Sequence, residues 1–265
     1  MLHAGRTRLA NDTFRMLVVK RVIRARGPSP YTPPMSKLSA VALATLALCA
    51  LPASAADAEY AVRWDPRQGG PATPEDALRS LRLTVDERSQ MEVTYFDVTP
   101  PPGLPEGFTA ILRQRIGGRH HELTFKLRGA QPLPEQPALK LWDCPLGPTD
   151  DRKDEVDVGF VAAGKTVTAY SRSCDVNAKQ AVPLPAALQA RPKGCASMMT
   201  RLRSGKLKIE EWRLADGSVL IEASRPAPYN PKSMRAFEHD VLKPLLALNI
   251  QPLDRSKSAI GGDCQ

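Results

Sequence analysis

Several absences narrow the field for this chain of 265 residues. It has no C-x-x-C pair and no His/Cys cluster at zinc-ligand spacing, which argues against a zinc site. Neither a G-x-S-x-G elbow nor a P-loop is present, so the two best-marked routes to hydrolysis are missing. No internal repeat recurs. The apolar run from Leu38 to Leu51 is too short to cross a bilayer as a permanent helix. Cysteine is scarce at five and histidine at four.

What is present begins with a leader. Met35-Ser36-Lys37 precedes that apolar run, and Pro52-Ala53-Ser54-Ala55 closes it with a small-x-small ending. Residues 35–55 therefore read as a secretory signal peptide. Cleavage after Ala55 leaves a single domain, 56–265, expected to be exported to the periplasm or secreted. Cys49 follows Leu48 where a lipoprotein signal needs a small residue, so it reads as an ordinary leader residue. Residues 1–34 hold seven Lys or Arg and one acid, with four prolines just before Met35. They suit a long basic leader, a transit-like extension or a start codon set too early. The last is preferred, because Met35 begins a complete signal by itself.

This segmentation changes the charge balance. The whole chain carries +9, but residues 1–55 hold 8 bases and 1 acid, leaving 29 bases and 27 acids, or +2. The global basic balance that would point to nucleic acid or an acidic membrane is thus mostly removed. No nucleic-acid partner is expected, and no membrane span after signal cleavage. Cys144, Cys174, Cys195 and Cys264 remain, an even number that suggests two disulfides with three possible pairings. The remaining 210 residues suit one domain with a real core.

Most of 56–265 alternates with period two. Gly117-Gly118 is a hairpin signal between two such runs. A two-residue turn there pairs Ile116 with Arg119, Arg115 with His120, Arg113 with Glu122, Ile111 with Thr124 and Thr109 with Lys126. One face then carries Arg113, Arg115, Glu122, Thr124 and Lys126, and the other Ala110, Leu112, Leu123 and Phe125. Such a face is either a seat for a phosphorylated anion or a solvated outer surface. Further strands are expected at Glu59–Asp65, Met91–Val98, Asp154–Phe160, Lys165–Ser173, Ser197–Arg203, Leu207–Leu214 and Val219–Ser224. Glu155 and Asp157 share a face, as do Lys208 and Glu210.

Thr73 caps a helix begun by Pro74, with Ala77, Leu78, Leu81 and Leu83 on its apolar side. A short helix is expected near Leu184–Ala190. A longer one spans Met234–Leu248, which Pro244 should kink or split. His120 and His121 point to opposite faces and read as surface imidazoles. Trp64, Trp142 and Trp212 read as core or wall residues. Six or more strands with charged faces raise the prospect of a barrel whose interior is the charged side.

An ordered set of short pieces now gains weight: Tyr95-Phe96-Asp97, Leu104…Gly107, Leu112-Arg113-x-Arg115, Leu123-Thr124-x-Lys126, Thr200-Arg201-x-Arg203, Asp216-Gly217…Ile221-Glu222 and Arg255-Ser256-Lys257. Together they resemble the CYTH superfamily, the triphosphate tunnel metalloenzymes, over nearly all of 58–258. The resemblance implies an α+β fold: an antiparallel eight-stranded β tunnel or barrel with helices packed outside. It implies that Arg63, Arg113, Arg115, Lys126, Arg201 and Arg203 hold phosphate oxygens, with Lys257 joining from the tail.

The ligand it implies is a phosphorylated or polyanionic small molecule, bound with Mg²⁺ or Mn²⁺. Glu59 and Glu222 would be the metal ligands and, in an enzyme, the catalytic carboxylates of phosphoanhydride hydrolysis. The family's opening E-x-E-x-K appears here as Glu59-Tyr60-Ala61-Val62-Arg63, and its late E-x-E as Glu222-Ala223-Ser224. Glu210 or Asp157 can substitute for the two missing carboxylates if they point inward. Without such substitution, the alternative is a non-catalytic binding or structural module that keeps the tunnel.

Overall fold

The computed structural model describes residues 56–118, 120–133, 144–147 and 152–255. Both leader segments, Trp142, Lys257 and Cys264 lie outside the described residues. Ten strands form one sheet: β1 (Asp57–Trp64), β2 (Glu87–Asp97), β3 (Phe108–Gly117), β4 (His120–Gly129), β5 (Arg152–Ala162), β6 (Lys165–Ala178), β7 (Arg191–Pro192), β8 (Ser197–Ser204), β9 (Leu207–Arg213) and β10 (Val219–Pro228). The order β3-β4-β6-β5-β1-β10-β9-β8-β2 returns on itself, because β2 also pairs with β3. β7 is a two-residue strip paired with β2, so the other nine of the ten make a closed barrel.

The α+β barrel is thus present, but the expected eight antiparallel strands are corrected on both counts. The barrel has nine strands, and β1 runs parallel to β5. The chain's own alternating runs already number nine; eight came from the resemblance. Alternation assigns a residue to a face but says nothing of the direction of the neighbouring strand.

The β3–β4 register is also corrected, by two residues. Gly117 pairs with His120, Ile116 with His121, Arg115 with Glu122, Arg113 with Thr124, Ile111 with Lys126 and Thr109 with Arg128. Gly117 is a strand residue rather than a turn residue. A Cβ on it would collide with the backbone oxygen of Gln90 on β2, whereas Gly118 takes the left-handed turn at φ 58°. A shift of two keeps every side chain on its face, so the inward set survives.

The wall is inside-out relative to an ordinary small barrel. On β1, Tyr60, Val62 and Trp64 face outward with Val156, Val158 and Phe160 of β5 into the largest apolar cluster. Helix α1 (Pro74–Ser80) covers part of it with Ala77 and Leu78. Its cap is as expected: the Thr73 hydroxyl oxygen accepts from the Asp76 amide at 3.1 Å. Leu83 does not join the apolar side and is 40% exposed, because the helix stops at Ser80 and Arg82 turns left-handed at φ 58°.

The C-terminal helix packs on the same cluster, its Phe237 stacking against Phe160 at 5.3 Å and Tyr60 at 6.2 Å. It is divided as Pro244 requires: α2 (Pro231–Phe237), a π turn (Glu238–Leu242) and α3 (Lys243–Leu246). Proline brings no N–H to the ladder, and the Lys243 amide reaches five residues back to the Glu238 carbonyl. Near Leu184–Ala190 only a 3₁₀ turn forms, Ala186–Leu188.

A second outer cluster gathers Phe96, Leu112, Leu123, Phe125 and Leu127 beneath loops. There Cys144 is bonded to Cys174 across 30 residues, which ties a loop to β6. Closing a loop of that length removes about 3–4 kcal/mol of chain entropy from the unfolded state. Cys195 is disulfide-bonded as well. A third cluster, Met91, Val93, Tyr95, Met199, Trp212 and Leu220, lies on the inward side of β2, β8, β9 and β10. Trp64 and Trp212 are both buried, as expected of wall residues.

The close approach at Gly117 gives a direct test. Gly117→Ala should lower stability by about 1–3 kcal/mol through overpacking against β2, read as a lower midpoint in urea unfolding. An unchanged midpoint would remove that reason for the register.

Candidate functional site

The β3–β4 hairpin supplies one wall of the interior. Arg115 lies opposite Glu122 and Arg113 opposite Thr124. Arg113 Nη2 donates to Glu122 Oε1 at 2.8 Å and to Thr124 Oγ1 at 2.9 Å. Arg115 Nη1 donates to the same Glu122 oxygen at 3.0 Å, and the Thr124 hydroxyl does so at 3.0 Å. Burial alone would raise the Glu122 pKa. The neighbouring Arg115 and Arg113 charges, with the Thr124 and Arg113 hydrogen bonds, instead hold it at about 2.

Arg115 is 7% exposed, and its pKa is lowered. Burial is the larger cause, followed by the Arg113 charge beside it, with a further push from Arg201. Among the described residues, no acceptor meets Arg115 Nε or Arg113 Nε. Buried donors left without an acceptor are costly, and the carboxylate of Asp175, opposite Thr124 on β6, adds negative charge near Arg113.

Strands β8 and β9 supply a second wall. Arg201 Nε and Nη2 both reach Glu210 Oε1, at 2.8 and 2.7 Å. Glu210 Oε2 in turn accepts from Trp212 Nε1 at 3.2 Å. Arg203 shares the inward side with Arg201 by alternation but stands apart, paired with Glu87 at 3.4 Å and outside the cavity lining. On the third wall Arg63 of β1 lies directly across from Glu222 of β10, with Nε at 2.6 Å from Oε2. Burial would lower the Arg63 pKa, but the Glu222 carboxylate, together with Glu59 and Asp157, makes the net shift upward.

The carboxylates that gather lie elsewhere. The parallel register of β1 and β5 sets Glu59 beside Asp157, and Glu155 sits two residues before it. Oxygens of Glu59, Glu155 and Asp157 lie within 4.8 Å of one another. Each is accompanied by a cation: Lys208 on Glu59, Lys153 on Glu155 at 2.5 Å, and Lys126 and Arg128 on Asp157 at 3.3 and 3.6 Å. Ser224 also donates to Glu59 at 3.1 Å. An all-oxygen, carboxylate-rich donor set suits a hard divalent ion such as Mg²⁺ or Mn²⁺. Such an ion would take over charge that the lysines now neutralise.

These walls enclose a cavity of about 220 Å³. Of the sequence-derived residues, Glu59, Arg63, Arg113, Arg115, Lys126 and Arg201 line it. Glu222 lies behind Arg63, fully buried, and outside the carboxylate trio. Lys257 lies outside the described residues. Of the two substitutes considered for the missing carboxylates, both Asp157 and Glu210 point inward.

Sequence reasoning passed over Arg128, Glu155, Lys153 and Lys208 as site residues, although alternation on β4, β5 and β9 put each beside a recognised one. Eight cations face six carboxylates across the cavity, an excess of two that Glu222 reduces to one. A neighbouring space of about 100 Å³ shares Glu59, Arg63, Arg128 and Asp157 and is bounded by Leu253, Asp254 and Arg255. That segment is held by the Leu253 amide on the Arg63 carbonyl at 2.9 Å and a bridge between Pro252 and Trp64.

No protein-family model matches the chain, and neither does any curated protein. Among solved structures, it is similar to the PH1819 protein of Pyrococcus horikoshii, with 12% identity and a TM-score of 0.43 over 76% of this chain and 97% of that one. It is also similar to an adenylate cyclase candidate from Vibrio parahaemolyticus, with 12% identity and a TM-score of 0.41 over 76% and 96% of the two chains. A third is the HpAC1 protein of Hippeastrum, described as an adenylyl cyclase candidate with a dominant triphosphatase activity; there identity is 10% and the TM-score 0.41 over 76% and 93%. Likenesses this distant carry no functional weight.

The Glu122 pairing sets an acid limit on the fold. With its pKa depressed from 4.5 to about 2, the carboxylate contributes its full stability above pH 4.5 and loses it as pH falls toward 2. The difference amounts to about 3 kcal/mol. Urea unfolding between pH 6 and 2 should show that loss in the parent chain and a flatter acid limb in Glu122→Gln; parallel curves would contradict the pairing.

Proposed function

We propose that the barrel is a CYTH-like tunnel that binds a polyphosphate-type anion. The observation that supports this most is the convergence of Arg113, Arg115, Arg201 and Lys126 on one cavity, where among the described residues the buried Nε groups of Arg113 and Arg115 lack acceptors. Planar guanidinium forks on rigid strands match phosphoryl oxygens in geometry as well as charge. A cavity of about 220 Å³ falls below the ~300–1,000 Å³ typical of drug-sized ligand sites. That favours a compact anion over a bulky nucleoside conjugate.

The same cavity supports phosphoanhydride hydrolysis as the second part of the reading. Glu59, Glu155 and Asp157 would hold Mg²⁺ or Mn²⁺ on the wall shared by β1 and β5. When bound, such an ion polarises a phosphoryl oxygen and acidifies a water molecule. The chain's own residues do the rest. Arg113, Arg115 and Arg201 fix the phosphoryl oxygens and stabilise the charge that develops on transfer, while Lys126 bridges the cationic and carboxylate sides. The buried walls limit the water that would screen these charges.

The non-catalytic alternative draws on one specific observation: all three carboxylates of the trio already have cationic partners. Export is part of the proposal too. The leader at 35–55 is joined by the Cys144–Cys174 bond, which suits an oxidising compartment.

Calorimetric titration of the purified chain with tripolyphosphate is the first test. Arg115→Ala and Arg201→Ala should each weaken binding about tenfold or more. Binding that ignores both substitutions would exclude the cavity as the site. Phosphate release with Mg²⁺ or Mn²⁺ tests the second part. Asp157→Asn should abolish metal-stimulated release while keeping metal-free anion binding, and release that survives it unchanged would move the chemistry away from the trio.

A further inference from the structure

Of the three glutamates paired with interior arginines, Glu210 and Glu122 are held in different ways. Glu210 is 1% exposed and anchored through both oxygens, one on Arg201 and one on the Trp212 indole. It is a fixed support that aims Arg201. Glu122 takes all three of its short hydrogen bonds, from Arg113, Arg115 and Thr124, on Oε1 alone. Among the described residues, its Oε2 has only His120, at 3.9 Å. Its side chain keeps 16% of its surface exposed and forms part of the cavity lining. A single anionic oxygen taking three converging donors at 2.8–3.0 Å is the arrangement a phosphoryl oxygen would adopt on the same residues.

From this geometry we infer that Glu122 is a resident counter-anion that sets the minimum charge of the ligand: an incoming phosphoryl group takes its place on Arg113, Arg115 and Thr124. The inference rests on the anion-binding reading above and adds to it a selectivity device. A lone orthophosphate exchanges one anion for another at this wall and gains little. A linked polyphosphate makes the same exchange but also reaches Arg201 and Lys126, which line the same cavity. The displaced carboxylate can turn toward the half-exposed His120, because among the described residues no hydrogen bond holds its Oε2 as the Trp212 indole holds Glu210. Discrimination against small anions then comes from competition within the site rather than from its size.

The experiment compares orthophosphate and tripolyphosphate binding to the full chain by calorimetry, in the parent and in Glu122→Gln. The parent should bind tripolyphosphate strongly over orthophosphate. In Glu122→Gln the orthophosphate affinity should rise on the order of tenfold, and more than the tripolyphosphate affinity, so the ratio narrows. If that variant fails to fold, Glu122→Asp carries the same expectation, since one methylene less prevents the carboxylate from serving both arginines. Added formate gives a readout that a structural role would not move. In Glu122→Ala it should restore discrimination against orthophosphate, and in the parent it should change nothing. Tripolyphosphate binding with no gain for orthophosphate in any folded variant would overturn the role of Glu122 and leave the cavity reading intact. Binding of neither anion by the parent would overturn both.

Discussion

Charge enclosed by a strand wall has to be met by opposite charge, and the rest of this structure follows from that requirement. An isolated buried guanidinium or carboxylate is too costly to keep. Nearly every inward cation therefore has a carboxylate across or beside it: Arg63 with Glu222, Arg201 with Glu210, Arg113 and Arg115 with Glu122, Lys126 with Asp157. A polar interior cannot supply the apolar burial that holds a domain of this size together. That burial is mostly displaced outward, to the helices and loops that cover the barrel, with a smaller inward cluster around Trp212.

The exception to complete pairing is what makes the interior useful. Arg113 and Arg115 share the Glu122 carboxylate between two guanidinium groups, and burial, with the Arg113 charge beside it, depresses the basicity of Arg115. Elsewhere Arg63 and Arg201 each face one carboxylate across the strands, Glu222 and Glu210, while Lys126 and Arg128 meet at Asp157. The parallel contact of β1 with β5 adds a further consequence, since it places the Glu59 carboxylate beside that of Asp157. Like charges there are tolerable only because Lys126, Lys153, Lys208 and Arg128 lie among them.

Much of this was legible in the residues. Alternation separated Glu155 and Asp157 from Val156 and Val158, and Arg113 and Arg115 from Leu112, and the barrel keeps both divisions. The Thr73 cap and the break at Pro244 followed from local chemistry and formed as expected. What escaped was non-local. No short-range signal says that β5 lies parallel to β1, so Glu155 was not seen as a neighbour of Glu59. Glu222 looked like a partner for Glu59 because it stood in a familiar pattern, yet its cross-strand neighbour is Arg63. The hairpin slipped by two because Gly117 and Gly118 look alike in sequence, and only the closeness of β2 tells the strand glycine from the turn glycine.

That two-residue difference left the inward set untouched, and it bears on how such a chain can change through descent. An insertion or deletion of one residue within a strand would turn the remainder of that strand over, driving Leu112 or Phe125 into the ionic interior and Arg113 or Lys126 into the outer apolar clusters. A change of two is silent for facing and alters only which charges meet. Strand length in this barrel therefore drifts most freely in even steps, and an odd change has to be taken up in a turn or in a bulge such as the one between Phe160 and Ala162. Two descendants of one ancestor could then keep the same inward residues while differing in every cross-strand partner, which would erode recognisable spacing faster than it erodes the charged interior.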